Sequence, residues 1–304
     1  MAGVITTGNL PKLLWPGLFA TFGRGYNETA QEWKPLVEVF SSKKAYEEIV
    51  QVVGYGAAPA KPEGTPTMYD SEWQGFITRF IHIAYGLGYI VTQEEIDDNL
   101  YPQVASERAE ALGFSFRQTK ETIVGNFYNT MFTRNGSDGV PVISASHPLQ
   151  GGGTGTNTLT VAADLSEAAL EDLSIQMWLT TDDRGNRISL MPRSLHVHPS
   201  EMFNAQRILK STFQSGTANN DINALKYLNM FPEGVKMNRY FTAPHAFFIR
   251  TNIMAKQGPI LFERNKIKYS DDGDFDSGNI KYKAYERYSV GMADWRGVFG
   301  SNGP

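Results

Sequence analysis

The sequence predicts an α+β protein of about two lobes, on three observations. A single apolar stripe recurs at helical spacing through residues 102–132. Beyond a glycine-rich stretch, helical and strand-forming segments alternate from Asp164 onward. Two strand-forming segments, near Phe262–Tyr269 and Ile280–Val290, close the chain around a polar turn.

Composition narrows the classes of function. The 304 residues suffice for a sizeable core, and 41% hydrophobic against 20% charged residues is ordinary for a globular protein. No run of 18 apolar residues is present, and Met1–Phe22 lacks the charged, apolar and small-residue order of a signal, so neither a membrane span nor targeting is expected. The absence of cysteine excludes disulfides, thiolate zinc sites and thiol nucleophiles, and makes synthesis in the cytoplasm the simplest expectation. A net charge of −4 argues against a dedicated nucleic-acid reader while allowing packaged DNA as a distant neighbour. The 29 glycines and 12% aromatics fit long loops and broad contact surfaces better than a compact enzyme.

Taken in order, the elements support that outline. Pro11, Pro16, Gly17, Gly23, Gly25 and Pro35 interrupt the first 50 residues, which read as an arm with amphipathic fragments such as Trp33–Phe40. Gly54–Thr67, with three prolines and three glycines, reads as an extended excursion, and Phe76–Tyr85 as the strand returning from it. Thr92-Gln-Glu-Glu95 has the form of a capping box. Downstream, Ala105, Ala109, Leu112, Phe116, Ile123, Phe127 and Met131 form the stripe, with one gap at Lys120. A helix over 102–132 would span roughly 45 Å, the length of a structural beam.

Residues 134–158, with Asn135-Gly, Asp138-Gly and Gly151-Gly-Gly153, read as a mobile polar connection between two halves. A second capping pattern, Asp164-Leu-Ser-Glu167, opens a helix with Leu170, Leu173 and Met177 inward. Ser194–His198 reads as a strand, and Pro199 opens the following helix. In the last strand Ile280, Tyr282, Ala284, Tyr288 and Val290 face one way, with Lys281, Lys283, Tyr285 and Arg287 on the other.

Motifs for chemistry are sparse. No segment fits a phosphate-cradling G-x-x-x-x-G-K-[ST] or G-x-G-x-x-G pattern, and Ser137 lies in Asn-Gly-Ser-Asp-Gly, not in a nucleophile elbow. His196-Val-His198 is the sharpest enzymatic candidate, since residues two apart on a strand share a face and could ligate zinc. A further ligand would have to come from elsewhere, and a strand running into a helix at Pro199 accounts for the pair without metal. Glu94, Asp97 and Asp98 suit the first turn of a helix, where its dipole favours acids.

The order of parts, together with three local segments, carries a resemblance. These are Thr92-Gln-Glu-Glu-Ile-Asp-Asp98, Leu195-His-Val-His-Pro199 with Ala205 and Ile208-Leu209, and Tyr288-Ser-Val-Gly-Met-Ala-Asp-Trp-Arg-Gly-Val-Phe-Gly-Ser301. The chain resembles the major capsid protein of tailed bacteriophages, of the Hong Kong 97-type fold, and especially the Mu-like head subunits. The resemblance implies an N-terminal arm at 1–53 and an extended loop hairpin at 54–91. It implies a peripheral lobe with spine helix and glycine-rich connection at 92–164, an axial lobe at 165–259, and a return to the peripheral lobe at 260–304.

What the resemblance implies for function is assembly without catalysis or cofactor. Copies would form pentamers and hexamers of an icosahedral head enclosing double-stranded DNA, held only by non-specific proximity. The chain would be made in the host cytoplasm and end in the virion. Because the arm begins almost at Met1, the resemblance implies either a separate scaffolding protein or a chain without its propeptide, the initial Met favouring the first, with a portal and decoration proteins as further partners. Trp15, Trp33, Tyr69, Trp73, Phe76 and Arg79 are the candidate interface residues, whereas Trp295 and Arg296 are expected to fix the C-terminal strands within one subunit. Two alternatives stand beside this: an encapsulin-like compartment shell, and a metal-dependent hydrolase using His196 and His198.

Overall fold

A computed structural model describes residues 11–28, 30–97, 101–214, 221–253 and 257–303, and their side chains except at 11–16, 96–97 and 101–104. In chain order the first half holds α1 (Pro11–Asn27), β1 (Glu38–Ser41), β2 (Tyr46–Val53), β3 (Trp73–Ile81), β4 (Ile83–Val91), α2 (Gln93–Asp97), α3 (Tyr101–Asn129), β5 (His147–Pro148) and β6 (Thr154–Gly155). The second half holds α4 (Glu167–Leu179), β7 (Pro192–Val197), α5 (Met202–Lys210), α6 (Ala224–Tyr227), β8 (Val235–Met237), β9 (Phe247–Thr251), β10 (Pro259–Gly273), β11 (Ile280–Met292) and β12 (Val298–Ser301). Two four-stranded sheets organise the lobes, in the orders β1-β10-β11-β4 and β12-β9-β7-β8, while β2 and β3 form a separate two-stranded ribbon.

The beam helix is α3. Ala105, Ala109, Leu112, Phe116, Val124, Phe127 and Tyr128 are buried along it, followed by Met131 just past its end. Burying each of its larger side chains contributes about 2 kcal/mol. Its first part packs on the β10–β11–β4 sheet through Tyr269, Tyr282 and Ala284, and its end reaches the second sheet through Phe248. The capping box forms as expected: the Glu95 amide donates to Thr92 Oγ1 and the Thr92 amide to the Glu95 carboxylate, each at 3.3 Å. It caps the five-residue α2, not α3 itself.

The gap in the stripe at Lys120 is a buried charge. Lys120 Nζ lies 3.1 Å from Glu263 and 3.3 Å from Glu286, and sits over the rings of Trp33 and Tyr288. Burial works to lower the lysine pKa, but Glu286, Tyr26 and Glu263 outweigh it and leave it raised. Burial raises that of Glu286 against the pull of Lys120. Glu286 occupies the buried face of β11, between Ala284 and Tyr288, so the wet-and-dry alternation continues through a carboxylate.

Residues 11–53, expected to be an arm, belong largely to the body. α1 runs through Pro16, lies along α3 and buries Leu18 and Phe22. A Cβ on Gly25 would overlap the Glu110 carbonyl, and one on Gly113 the Phe22 carbonyl, so glycine at both positions lets the helices touch. Trp33, Leu36 and Val37 enter the central core, and β1 runs parallel to β10.

The strand expected at 76–85 is divided at His82. Its ring is buried and bonds Ser42 Oγ (3.1 Å) and Ser289 Oγ (3.0 Å), separating β3 of the ribbon from β4 of the sheet. The hairpin therefore comprises β2, β3 and the connection between them, residues 46–81, where 54–91 was expected.

The connection at 134–158 is pinned, against its reading as mobile. Asn157 is fully buried, donates to the carbonyls of Val142, Trp295 and Val298, and accepts from the Ser144 amide. His147 bonds Asp138 at 2.6 Å and Asn157 at 3.0 Å and stacks on Trp295. A Cβ on Gly155 would strike the Trp295 ring, so that glycine allows the approach. Trp295 and Arg296 are buried within the subunit as expected, Arg296 bonding Asp294 and the Thr181 carbonyl.

Candidate assembly surface

The β2–β3 ribbon alternates in burial, which gives it two unlike faces. Ile49 and Phe80 turn inward against Phe40, Ile260 and Phe262. The outward face pairs Tyr46 with Ile81, Glu48 with Arg79 and Val50 with Ile77, and Val52 follows a register shift. Every large apolar side chain on that face is exposed: Tyr46, Val50, Val52, Ile77 and Ile81. In their midst Arg79 reaches Glu48 at 2.6 Å and covers the Tyr46 ring at 4.6 Å. Exposed β-branched ladders of this kind are a liability in a protein that works alone, and a contact surface in one that associates.

Beyond the ribbon, the loop is tethered at its neck. A turn at 181–187 is closed by Asp182, which accepts from the Arg184 and Asn186 amides, both at 2.8 Å. It presents Arg184, whose guanidinium donates to the Gly54 and Ser71 carbonyls and to Asp70, and stacks 3.8 Å from the centre of the Trp73 ring. Asn186 donates to the Tyr55 carbonyl and Gln51 to Asp183. The amides of Gly56 and Ser71, with Arg184 adding to them, hold the Asp70 carboxyl below the usual range. Past this neck the chain is uncovered, and Tyr69 is 96% exposed.

The expected interface residues therefore divide. Tyr69 projects freely, Trp73 is half covered by Arg184, and Arg79 lies on the outer ribbon face. Phe76 is half-buried in a cleft with Gln51, Ser137 and Met292. Trp33 is corrected: at 4% exposure it packs in the subunit's own core over Lys120 and offers nothing to a neighbour. The Trp15 side chain lies outside the described residues. Tyr46, Val50, Ile77 and Ile81 were not singled out from sequence. The alternation in Tyr46–Val53 is the sequence signal that marks the β2 side of this face, and it lies within a stretch whose prolines and glycines read as an arm.

The two histidines do not form a metal centre. His196 is fully buried on β7, bonded through Nε2 to Ser194 Oγ at 2.8 Å, and burial pushes its pKa down to about 3. His198 falls beyond the strand, where its Nδ1 accepts from the Ser200 amide and caps the turn at Pro199–Glu201. Among the described residues no group of three or more His, Asp or Glu side chains is placed to hold a metal ion.

Comparison with known proteins gives the family of the chain. Residues 82–300 match the family described as phage capsid protein. The chain belongs to that family. Similar folds are seen in the virus-like particle from Pyrococcus furiosus (TM-score 0.57, 12% identity, 94% of this chain and 98% of the other) and the capsid of Myoviridae phage XM1 (0.55, 9%, all of both chains). The mature capsid of bacteriophage PhiM1 is similar too (0.55, 11%, 90% of this chain and 86% of the other). At such identities the likeness is one of fold, the Hong Kong 97 type. No curated protein matches the sequence. This capsid protein is thus a structural subunit that self-associates into the capsid lattice of a virion. The family match begins at His82, so the β2–β3 ribbon lies ahead of it.

Proposed function

We propose that this protein is the wall of an icosahedral phage head, assembling as pentamers and hexamers around double-stranded DNA, and that the β2–β3 hairpin of each copy lies on its neighbour. The observation that carries the reading is the hairpin itself: five exposed apolar side chains on one ribbon face, continued by a tethered loop with Tyr69 at its uncovered end. Covering that face removes apolar surface from water at every copy, so modest contacts sum over a closed shell. Tyr69, Trp73, Phe76 and Arg79 supply the contact, with Trp73 and Arg79 pre-set by their partners Arg184 and Glu48.

In this reading assembly takes place in the host cytoplasm, guided by a separate scaffolding protein and completed by a portal and decoration proteins. Electron microscopy of the chain expressed with its genomic neighbours tests it, with nucleic-acid content measured on the same particles. Closed shells that fill with DNA are expected. Shells holding only cargo protein would favour an encapsulin-like compartment, and a persistent compact monomer would refute the shell reading.

A further inference from the structure

The β2–β3 hairpin is held at two places, and they belong to different lobes. At its base Phe80 packs edge-on to Phe262 of β10 at 5.0 Å, and His82 bonds Ser289 of β11. At its neck it is held by the turn at 181–187, which lies between α4 and β7 of the second lobe. The strand β2 that runs from base to neck has eight residues, so the two points stand roughly 25 Å apart. A single point would leave the hairpin free to pivot, whereas two fix its direction.

The hold at the neck is a clamp across both arms of the loop. Arg184 donates to the Gly54 carbonyl on the outgoing arm at 3.0 Å. On the returning arm it donates to Asp70 and to the Ser71 carbonyl, at 3.0 and 2.7 Å. Asp70 draws the arms together further by accepting from the Gly56 amide at 3.0 Å. A guanidinium suits this task because its donors sit in a fixed planar fork, which a lysine cannot reproduce. The turn that presents it is tied into its own lobe: the Thr181 carbonyl accepts from Arg296, and Asp183 accepts from the Gln150 amide at 3.3 Å. Residues 57–69, beyond the clamp, are exposed throughout, so within the subunit the clamp is what aims them.

We propose that Arg184 is a strap joining the hairpin to the second lobe, so that the two move as one body and every copy aims its hairpin alike before it meets a neighbour. The proposal rests on the shell reading above and makes Arg184 a positioning residue for that contact. Rotation of the second lobe against the first must then carry the hairpin with it or break the clamp. A uniform aim makes the angle between successive copies uniform, and a shell closes at one diameter only when that angle repeats. Ordering the loop in advance also lowers the cost of the contact when it forms.

Two substitutions in the full chain test the strap. Arg184→Ala should leave the thermal midpoint unchanged and speed amide hydrogen exchange over residues 54–73 by about tenfold in the chain expressed alone. Expressed with its genomic neighbours, it should give shells of several diameters and open sheets by electron microscopy, where the parent gives one diameter. Arg184→Lys keeps the charge and loses the fork, so its exchange should lie closer to that of Arg184→Ala than to the parent's. Alanine-variant exchange or shell diameters that match the parent's, or a lysine variant indistinguishable from the parent, would overturn the proposal while leaving the shell reading in place. Failure of the parent chain to form shells would remove both.

Discussion

The interior of α3 and the outer face of the β2–β3 ribbon treat their side chains in opposite ways. At Lys120 a cation is taken out of water and answered by two carboxylates and two rings of the same subunit. On the ribbon five large apolar side chains are left in water, with Glu48–Arg79 as the one ion pair on the described face. The first arrangement makes sense for a chain that must fold by itself, the second only for one that meets a partner. The difference separates residues that serve stability from residues that serve assembly in the proposed reading, so each should be breakable without the other.

The largest effect is expected from removing the loop. Deleting residues 56–72 leaves Gly54 and Tyr55 between the paired Val53 and Trp73, a length suited to a two-residue hairpin turn. The variant should fold, with a denaturation midpoint close to the parent's, and form no closed shells by electron microscopy. Next comes the interior. Lys120→Met should cost about 3–5 kcal/mol in urea denaturation, because Glu263 and Glu286 are left facing each other without their cation. Adding Glu286→Gln should return part of that loss, which would locate the cost in the orphaned carboxylates.

A third effect is a dependence on pH. The folded state holds His196 neutral down to about 3, while an unfolded chain protonates it near the ordinary value of 6.5. The unfolded state therefore binds the extra proton, and stability falls as pH falls from 6.5 towards 3, by about 1.4 kcal/mol per pH unit from this group. Urea midpoints at pH 7 and pH 5 should diverge in the parent and converge in His196→Gln. The smallest effect is expected at Arg79→Ala. That pair is exposed, so monomer stability in urea should scarcely change, and any larger consequence should appear in shell yield.

Much of the fold was legible from sequence because periodicity reports burial. The stripe of α3, the cap at Thr92, the strand-to-helix turn at Pro199 and the β10–β11 hairpin are all local patterns, and all are present. Long-range pairing was not legible in the same way. Lys120 stood out only as a gap, and Glu286 was passed over although it occupies the buried phase of β11; joining the two required knowing that α3 crosses that strand. The pinning of 134–158 depends on Asn157 bonding carbonyls near residue 298, which no local pattern encodes. On the proposed assembly surface, Tyr69 and Trp73 are legible as aromatics in a proline- and glycine-rich excursion. The ribbon was half missed because prolines and glycines nearby made residues 1–53 look irregular throughout.

Assembly through the hairpin requires the outer ribbon face to be covered in the shell. Cryo-electron microscopy of particles from the full chain expressed with its genomic neighbours observes it directly. Closed shells are expected in which Tyr46, Val50, Ile77 and Ile81 of every copy are covered by an adjacent subunit. A chain that stays monomeric, or a shell in which that face remains open to solvent, would contradict it.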